Sequence, residues 1–147
     1  MKDFIVKKVS LEESLKVFPK IVEFDRKEAG TVEFCNNKIN GLDNIILSAY
    51  VDEESVGYLI SYEKNGDFYC WVVGVDPKYR RKGILTSMMN IFEEYAKKEG
   101  YSKITLKTLN NKREMLSYLV KNNWNFTKVI VKNNILENEI LLEKTLN

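Results

Sequence analysis

Between residues 68 and 108 the apolar pattern changes period twice, and this restricts the fold more than any other feature of the chain. "FYCWVVGV" (68–75) is rich in aromatic and β-branched residues and reads as a strand. After "YRRKG" (79–83), Leu85, Met88, Met89, Phe92, Tyr95 and Ala96 recur at three- and four-residue steps, which predicts a helix that Gly100 ends. "KITLKT" (103–108) is extended again. A strand, a helix and a second strand make a crossover unit, so the two strands are expected to be parallel neighbours. Upstream, "IILSAYV" (45–51) and "VGYLISYE" (56–63) are joined to the run at 68 by the polar turns "DEES" and "KNGD". Asn65-Gly66 is a strong hairpin signal, so three antiparallel strands precede the crossover and the sheet is mixed.

The rest of the chain extends this pattern. "FIVKKV" (4–9) alternates as a strand does, and Ser10 with Glu13 forms a capping box for a helix over 11–24 that Pro19 kinks or splits. Residues 25–43 have mixed periodicity and two glycines, which suits short helical turns and loops. "REMLSYLVKNNW" (113–124) reads as a helix, and "FTKVIVKN" with "ILENEILLEK" as a closing hairpin. No repeat, linker or low-complexity segment interrupts the 147 residues, so one α/β domain over 1–147 is expected.

Composition excludes several chemistries. The chain has no histidine, which removes a Ser-His or Cys-His nucleophile pair, a His-ligated zinc site and an imidazole base. Cys35 and Cys70 stand far apart without metal-ligand spacing, so no metal is expected. "MKDFIVKKVS" lacks the apolar run of a signal peptide, and a reduced, cytoplasmic protein with no membrane association is expected. With a net charge of +2, attraction for an anion must come from a local cluster, and Arg80, Arg81 and Lys82 form one.

A glycine where a strand gives way to a helix lets a ligand approach the backbone. The first helical N–H groups are unpaired and lie at the positive end of the helix dipole. Phosphate suits such a place, and three cations strengthen the attraction. A solvated basic turn with Gly83 as a loop residue would produce the same letters, and neither common nucleotide-loop motif is matched.

"VVGVDPKYRRKGILTSMM" resembles the acyl-CoA-binding signature of the GNAT superfamily of N-acetyltransferases, Arg/Gln-x-x-Gly-x-Gly/Ala after a strand ending in Val-x-Pro-x-Tyr. Arg80 and Gly83 match in register, as do Val75, Pro77 and Tyr79; Leu85 departs, standing where a small residue is usual. The order of elements is similar to that superfamily over nearly the whole chain. The resemblance implies a GNAT-like α/β (α+β) fold: a mixed, mostly antiparallel sheet of about seven strands with helices on both faces.

It also implies acetyl-CoA as cofactor and roles for particular residues. Val73 and Val75 would offer backbone groups to the pantetheine arm, with Gly74 a suitable place for a bulge that opens the gap between two strands. The N–H groups of Arg81, Lys82, Gly83, Ile84, Leu85 and Thr86 would cradle the pyrophosphate, Arg80 and Lys82 would act through charge, and Arg81 would meet the 3′-phosphate. Asn110 or Asn111 would contact the cofactor. Counting forward from Asn111 makes Tyr118 the acid that protonates the departing thiolate, whereas counting back from Asn123-Trp124, in place of the usual Gly-Phe, reaches Leu119.

The strand position for a general base falls on Tyr69, a poor base at its ordinary pKa near 10. Asp67 shares its face by period two, and Glu28 and Glu33 are alternatives that would also bind substrate. Cys70 is expected in the core. The expected acceptor is a primary amine of a small molecule, polyamine or peptide. Glu23, Asp25, Glu28 and Glu33 motivate a cationic one, although Arg26, Lys27 and Lys38 share the stretch. A homodimer is compatible with this reading. A non-catalytic acyl-CoA- or nucleotide-binding module is the alternative; nucleic acid is disfavoured, because one basic turn lacks an aromatic stacking platform.

Overall fold

The computed structural model describes residues 3–21 and 27–147. Strand β1 (Ile5–Lys8) leads into helix α1 (Leu11–Ser14), where Ser10 Oγ accepts from the Glu13 N–H at 3.1 Å. The helix expected over 11–24 is only one α-helical turn long. It tightens into a 3₁₀ segment, Leu15–Lys20, that contains Pro19. Proline has no N–H to give and its ring crowds the carbonyl one turn earlier, so the regular ladder stops there. Residues 22–26, which include Glu23, Asp25 and Arg26, lie outside the described residues.

A 3₁₀ turn (Lys27–Gly30) and helix α2 (Val32–Ile39) follow, the latter capped by Thr31 Oγ1, which accepts from the Phe34 N–H. Strands β2 (Asn44–Val51), β3 (Glu54–Lys64) and β4 (Asp67–Val75) form the expected meander. Both of its hairpin turns place two consecutive residues at positive φ, Asp52 and Glu53 in the first, Asn65 and Gly66 in the second. Two left-handed residues match the right-handed twist of the flanking strands, as in type I′ turns. Helix α3 (Ile84–Lys98), strand β5 (Lys103–Leu109), helix α4 (Arg113–Lys121), and strands β6 (Asn125–Ile130) and β7 (Glu139–Thr145) complete the chain.

One seven-stranded sheet has the order β1-β2-β3-β4-β5-β7-β6, and only β4 and β5 pair in parallel. The closing hairpin is shorter than expected. The side-chain oxygens of Asn138 and Asn134 accept from the Lys132 and Leu136 N–H groups, at 2.8 and 3.0 Å, and so divert the backbone from the ladder into a wide loop.

Each face carries a core. Met88, Met89 and Phe92 of α3 and Leu119 of α4 bury Phe68, Cys70, Ile104, Leu106, Ile140 and Leu142. Phe68 stacks on Phe92 at 5.6 Å, an aromatic pair worth about 1 kcal/mol beyond the area it buries. On the other face, Leu15, Val17, Cys35 and Ile39 cover Tyr58, Ile60, Tyr62 and Tyr69. The expectation of helices on both faces is met, and Cys70 is a core residue whose thiol burial pushes up to about 12.

Candidate active site

Strand β4 contains the site's organising irregularity. Ile60 of β3 faces Val72 and Ser61 faces Cys70, so Trp71 is an extra residue. Trp71 and Val72 consequently both pack on the α2 side, while Phe68, Cys70, Val73 and Val75 pack toward α3. The bulge therefore lies at Trp71 and not at Gly74, which pairs in register with Tyr58. A bulge adds local twist and bends its strand. The parallel ladder accordingly runs only from Phe68–Ile104 to Cys70–Leu106, and beyond it β4 and β5 splay apart.

The splay leaves backbone groups facing an open edge. The Asp76 N–H donates to Val56 O at 2.8 Å, which makes that pair, and by alternation Tyr58–Gly74, the hydrogen-bonded ones. Val73 and Val75 then turn their N–H and C=O groups away from β3 toward the gap. The Val75 carbonyl is already engaged, because Arg80 Nε donates to it at 3.0 Å. Arg80 thus anchors the loop as well as supplying charge.

The loop itself is wound tightly. Asp76 accepts from the Lys78 N–H, a 3₁₀ turn covers Pro77–Tyr79, and Tyr79 Oη donates to Glu54 at 3.1 Å. Arg81 (φ 63°) and Gly83 (φ 90°) are both left-handed, and Ser87 N–H to Gly83 O is the first bond of α3. The N–H groups of Ile84, Leu85 and Thr86 are left without helical partners and converge at the positive end of α3. Space does not dictate Gly83, since a Cβ there would only touch the Phe4 ring at 3.9 Å; the backbone conformation does. Leu85 packs its side chain against the α3-side core and keeps its N–H at the helix start. Arg81 reaches across to α4, where its guanidinium lies 2.6 Å from Glu114, with the two side chains 80% and 66% exposed.

On the far wall, the Asn110 and Asn111 N–H groups donate to Asn138 O and Leu136 O at 2.9 and 3.0 Å, and Asn110 Nδ2 donates to Ile135 O. The Asn110 side chain therefore ties the loop after β5 to the loop before β7, whereas Asn111 is exposed. Of the two counts along α4, Leu119 is fully buried in the core, and Tyr118 is half-buried beside it. Burial first, then the charges of Glu93 and Cys70, push the Tyr118 phenol up to about 12. Asn123, where glycine is usual, takes the left-handed position (φ 68°) that ends α4.

The opposite face gathers fewer of the expected groups. Tyr69 is 8% exposed, and burial, followed by Tyr62, Cys70 and Glu139, raises its pKa. Tyr62 meets it edge-on at 5.6 Å and Lys64 Nζ sits 4.4 Å over its ring. Asp67 pairs with Lys64 at the hairpin end of β4, about 20 Å along the strand from Val73 at roughly 3.3 Å per residue. Glu28 and Glu33 are exposed in the 3₁₀ turn and the first turn of α2, near Phe34, whose ring is 6.1 Å from Trp71. A depression of about 250 Å³ on this face is lined by Tyr69, Asp67, Thr105, Lys107 and Leu141 among others. A larger hollow of about 440 Å³ lies at the β1–β2 edge, away from the splay. Among the described residues no cluster could hold a metal ion, and no helix is long and apolar enough to cross a membrane.

Spacing put the bulge at Gly74 instead of Trp71 and did not identify the Arg81–Glu114 pair. One signal for the bulge was available: the uninterrupted apolar run Cys70-Trp71-Val72-Val73 breaks the alternation of a regular strand.

A model of the acetyltransferase (GNAT) family matches residues 11–120. No curated protein matches the chain significantly in sequence. Solved structures similar in fold include Ard1 from Thermoplasma volcanium, 12% identical with TM-score 0.80, covering 98% of each chain. The ribosomal-protein-S18-alanine N-acetyltransferase from Escherichia coli is 13% identical with TM-score 0.78, covering 97% of this chain and 94% of that one. A GNAT family acetyltransferase from Elizabethkingia anophelis, solved with acetyl-CoA bound, is 16% identical with TM-score 0.76, covering 99% and 100%.

Proposed function

We propose that this chain, which belongs to the acetyltransferase (GNAT) family, moves the acetyl group of acetyl-CoA directly onto a primary amine. The observation that carries the reading is the junction of two features: the gap beyond Cys70–Leu106, and the convergent N–H groups at the start of α3. A pantetheine arm needs peptide-like partners along an open strand edge, and the pyrophosphate that follows needs N–H donors. This chain presents both in that order along residues 73–86.

In the proposed arrangement Val73 and Val75 hold the arm through their backbone, with the N–H groups placed to polarise a carbonyl in the gap. The left-handed residues Arg81 and Gly83 and the N–H groups of Ile84, Leu85 and Thr86 hold the pyrophosphate, with Lys82 adding charge and Arg81 reaching the 3′-phosphate. Acetyl-CoA supplies the acetyl group as a thioester. Tyr118 keeps its proton at neutral pH and lies on the α3 side near Cys70, where its Oη is a proton donor to the leaving sulfur. The amine enters from the opposite face past Trp71 and Phe34, and Glu28 and Glu33 draw a cationic acceptor toward it. Positioning supplies most of the rate. One unit over residues 1–147, acting in the cytoplasm, is part of the same proposal; the strands of its one sheet run from Ile5 to Thr145.

Thiol release from acetyl-CoA with a panel of amines tests this. Turnover with any of them supports transfer to nitrogen, and tight CoA binding with no turnover on any amine would leave a binding module.

A further inference from the structure

The acceptor's proton needs a destination that Tyr69 and Asp67 do not provide. Tyr69 is buried with a raised pKa, and Asp67 stands at the wrong end of β4. Glu139 opens β7 opposite Leu109, which lies three residues along β5 from Leu106. Val73 lies three residues along β4 from Cys70. At roughly 3.3 Å per residue, Leu109 is about 10 Å beyond the last ladder pair and Val73, with Trp71 bulged out, about 7 Å, so Glu139, one strand beyond β5, lies at the same end of the sheet as Val73. Ile140 and Leu142 point into the α3-side core, so Glu139 turns to the opposite face, which Tyr69 and Trp71 share.

The carboxylate is held without being saturated. Its side chain is 23% exposed, and Oε2 lies 3.6 Å from Lys107 Nζ and 3.9 Å from Lys132 Nζ, both longer than a direct hydrogen bond. Leu141, two residues along β7, and Lys107 line the 250 Å³ depression, so Glu139 lies on the splay side of it.

Resting on the acetyltransferase reading, we propose that Glu139 is the catalytic carboxylate that receives the acceptor's ammonium group and takes its proton. An N–H bond of the ammonium breaks, its proton goes to a Glu139 carboxylate oxygen, and the electron pair stays on nitrogen, leaving a neutral amine facing the gap beside Val73. Among the described residues, the charged and titratable groups facing Glu139 are Lys107 on β5, Lys132 after β6 and Tyr69 on β4.

Methylamine at high concentration is the probe, with thiol release for turnover and calorimetry for CoA. Glu139→Gln is expected to lower turnover about 10²-fold, while CoA affinity stays within about threefold. The residual rate should rise about tenfold per pH unit below the amine's own pKa, because only amine deprotonated in solution still reacts; the wild-type rate should rise less steeply. In the CoA complex, the Glu139 carboxyl carbon resonance should move when methylammonium is added. Unchanged turnover in Glu139→Gln, or an unmoved resonance, overturns the proposal while leaving the acetyltransferase reading intact. Should Glu139→Gln fail to fold, Glu139→Asp decides it: it keeps the charge but withdraws the carboxylate by one methylene, and wild-type turnover overturns the proposal. Where methylamine is not turned over, the best amine of the panel replaces it as the probe, and a wild type that binds CoA and turns over no amine overturns transfer to nitrogen and this proposal with it.

Discussion

Cys70 of β4 faces Leu106 of β5 in the last pair of the parallel ladder, and Tyr118 of α4 packs half-buried against the core cluster that contains both. Its neighbour Leu119 is wholly buried.

The two residues should respond oppositely to substitution. Tyr118→Phe is expected to lower kcat about 10²-fold or more with CoA affinity nearly unchanged, in line with general-acid magnitudes. Leu119→Ala should instead destabilise the fold by about 2–5 kcal/mol through the cavity it leaves. Denaturation and steady-state kinetics on both variants check this, and a normal kcat for Tyr118→Phe removes it from the mechanism.

Gly83→Glu should abolish CoA binding. The left-handed backbone costs a side chain about 1–2 kcal/mol, and the new carboxylate would stand where the pyrophosphate approaches the N–H groups. Gly83→Ala separates the two effects, because its Cβ meets nothing nearer than the Phe4 ring at 3.9 Å. A folded Gly83→Glu that binds CoA within about threefold, roughly 0.6 kcal/mol, would place the site elsewhere.

Arg81 is paired with Glu114 in an exposed contact that contributes at most about 1 kcal/mol to stability. Arg81→Ala should leave the melting temperature almost unchanged and weaken CoA about tenfold, while dephospho-CoA binds as it does to the wild type. Equal losses for both ligands would assign Arg81 to the pyrophosphate.

Stability should fall in alkali. Tyr118 and Tyr95 are pushed up to about 12, the first mainly by burial and the second mainly by its hydrogen bond to Asp43; Tyr58, Tyr69 and Tyr101 are raised as well, chiefly by burial. Each folded-state pKa exceeds the unfolded value near 10, so the folded protein binds these protons more tightly. Their contribution is complete below pH about 10 and is lost as pH rises toward 12. Urea midpoints measured from pH 8 to 12 should decline only in that upper window, and a flat profile would contradict it.

If Glu28 and Glu33 draw in a cationic acceptor, kcat/KM for that amine should fall as ionic strength rises, and Glu28→Gln with Glu33→Gln should flatten the dependence. An acceptor indifferent to salt removes both residues from substrate capture.

The sequence by itself determined the meander, the Asn65-Gly66 hairpin, the crossover through α3 and the glycine turn that starts α3, because period, turn chemistry and helix capping are set by neighbours in the chain. Even Pro19 announced that its helix would break. Tertiary structure alone decided which face each site residue occupies. One inserted residue reverses the alternation of every residue after it, and whether Trp71 is inserted depends on how β3 pairs with β4. The same holds for the burial of Leu119 and the partial exposure of Tyr118, set by what α4 packs against, and for Glu139, brought to the Val73 end of the sheet only by the register of β5 on β7. Those pairings join residues remote in sequence, and spacing along one chain has no term for them.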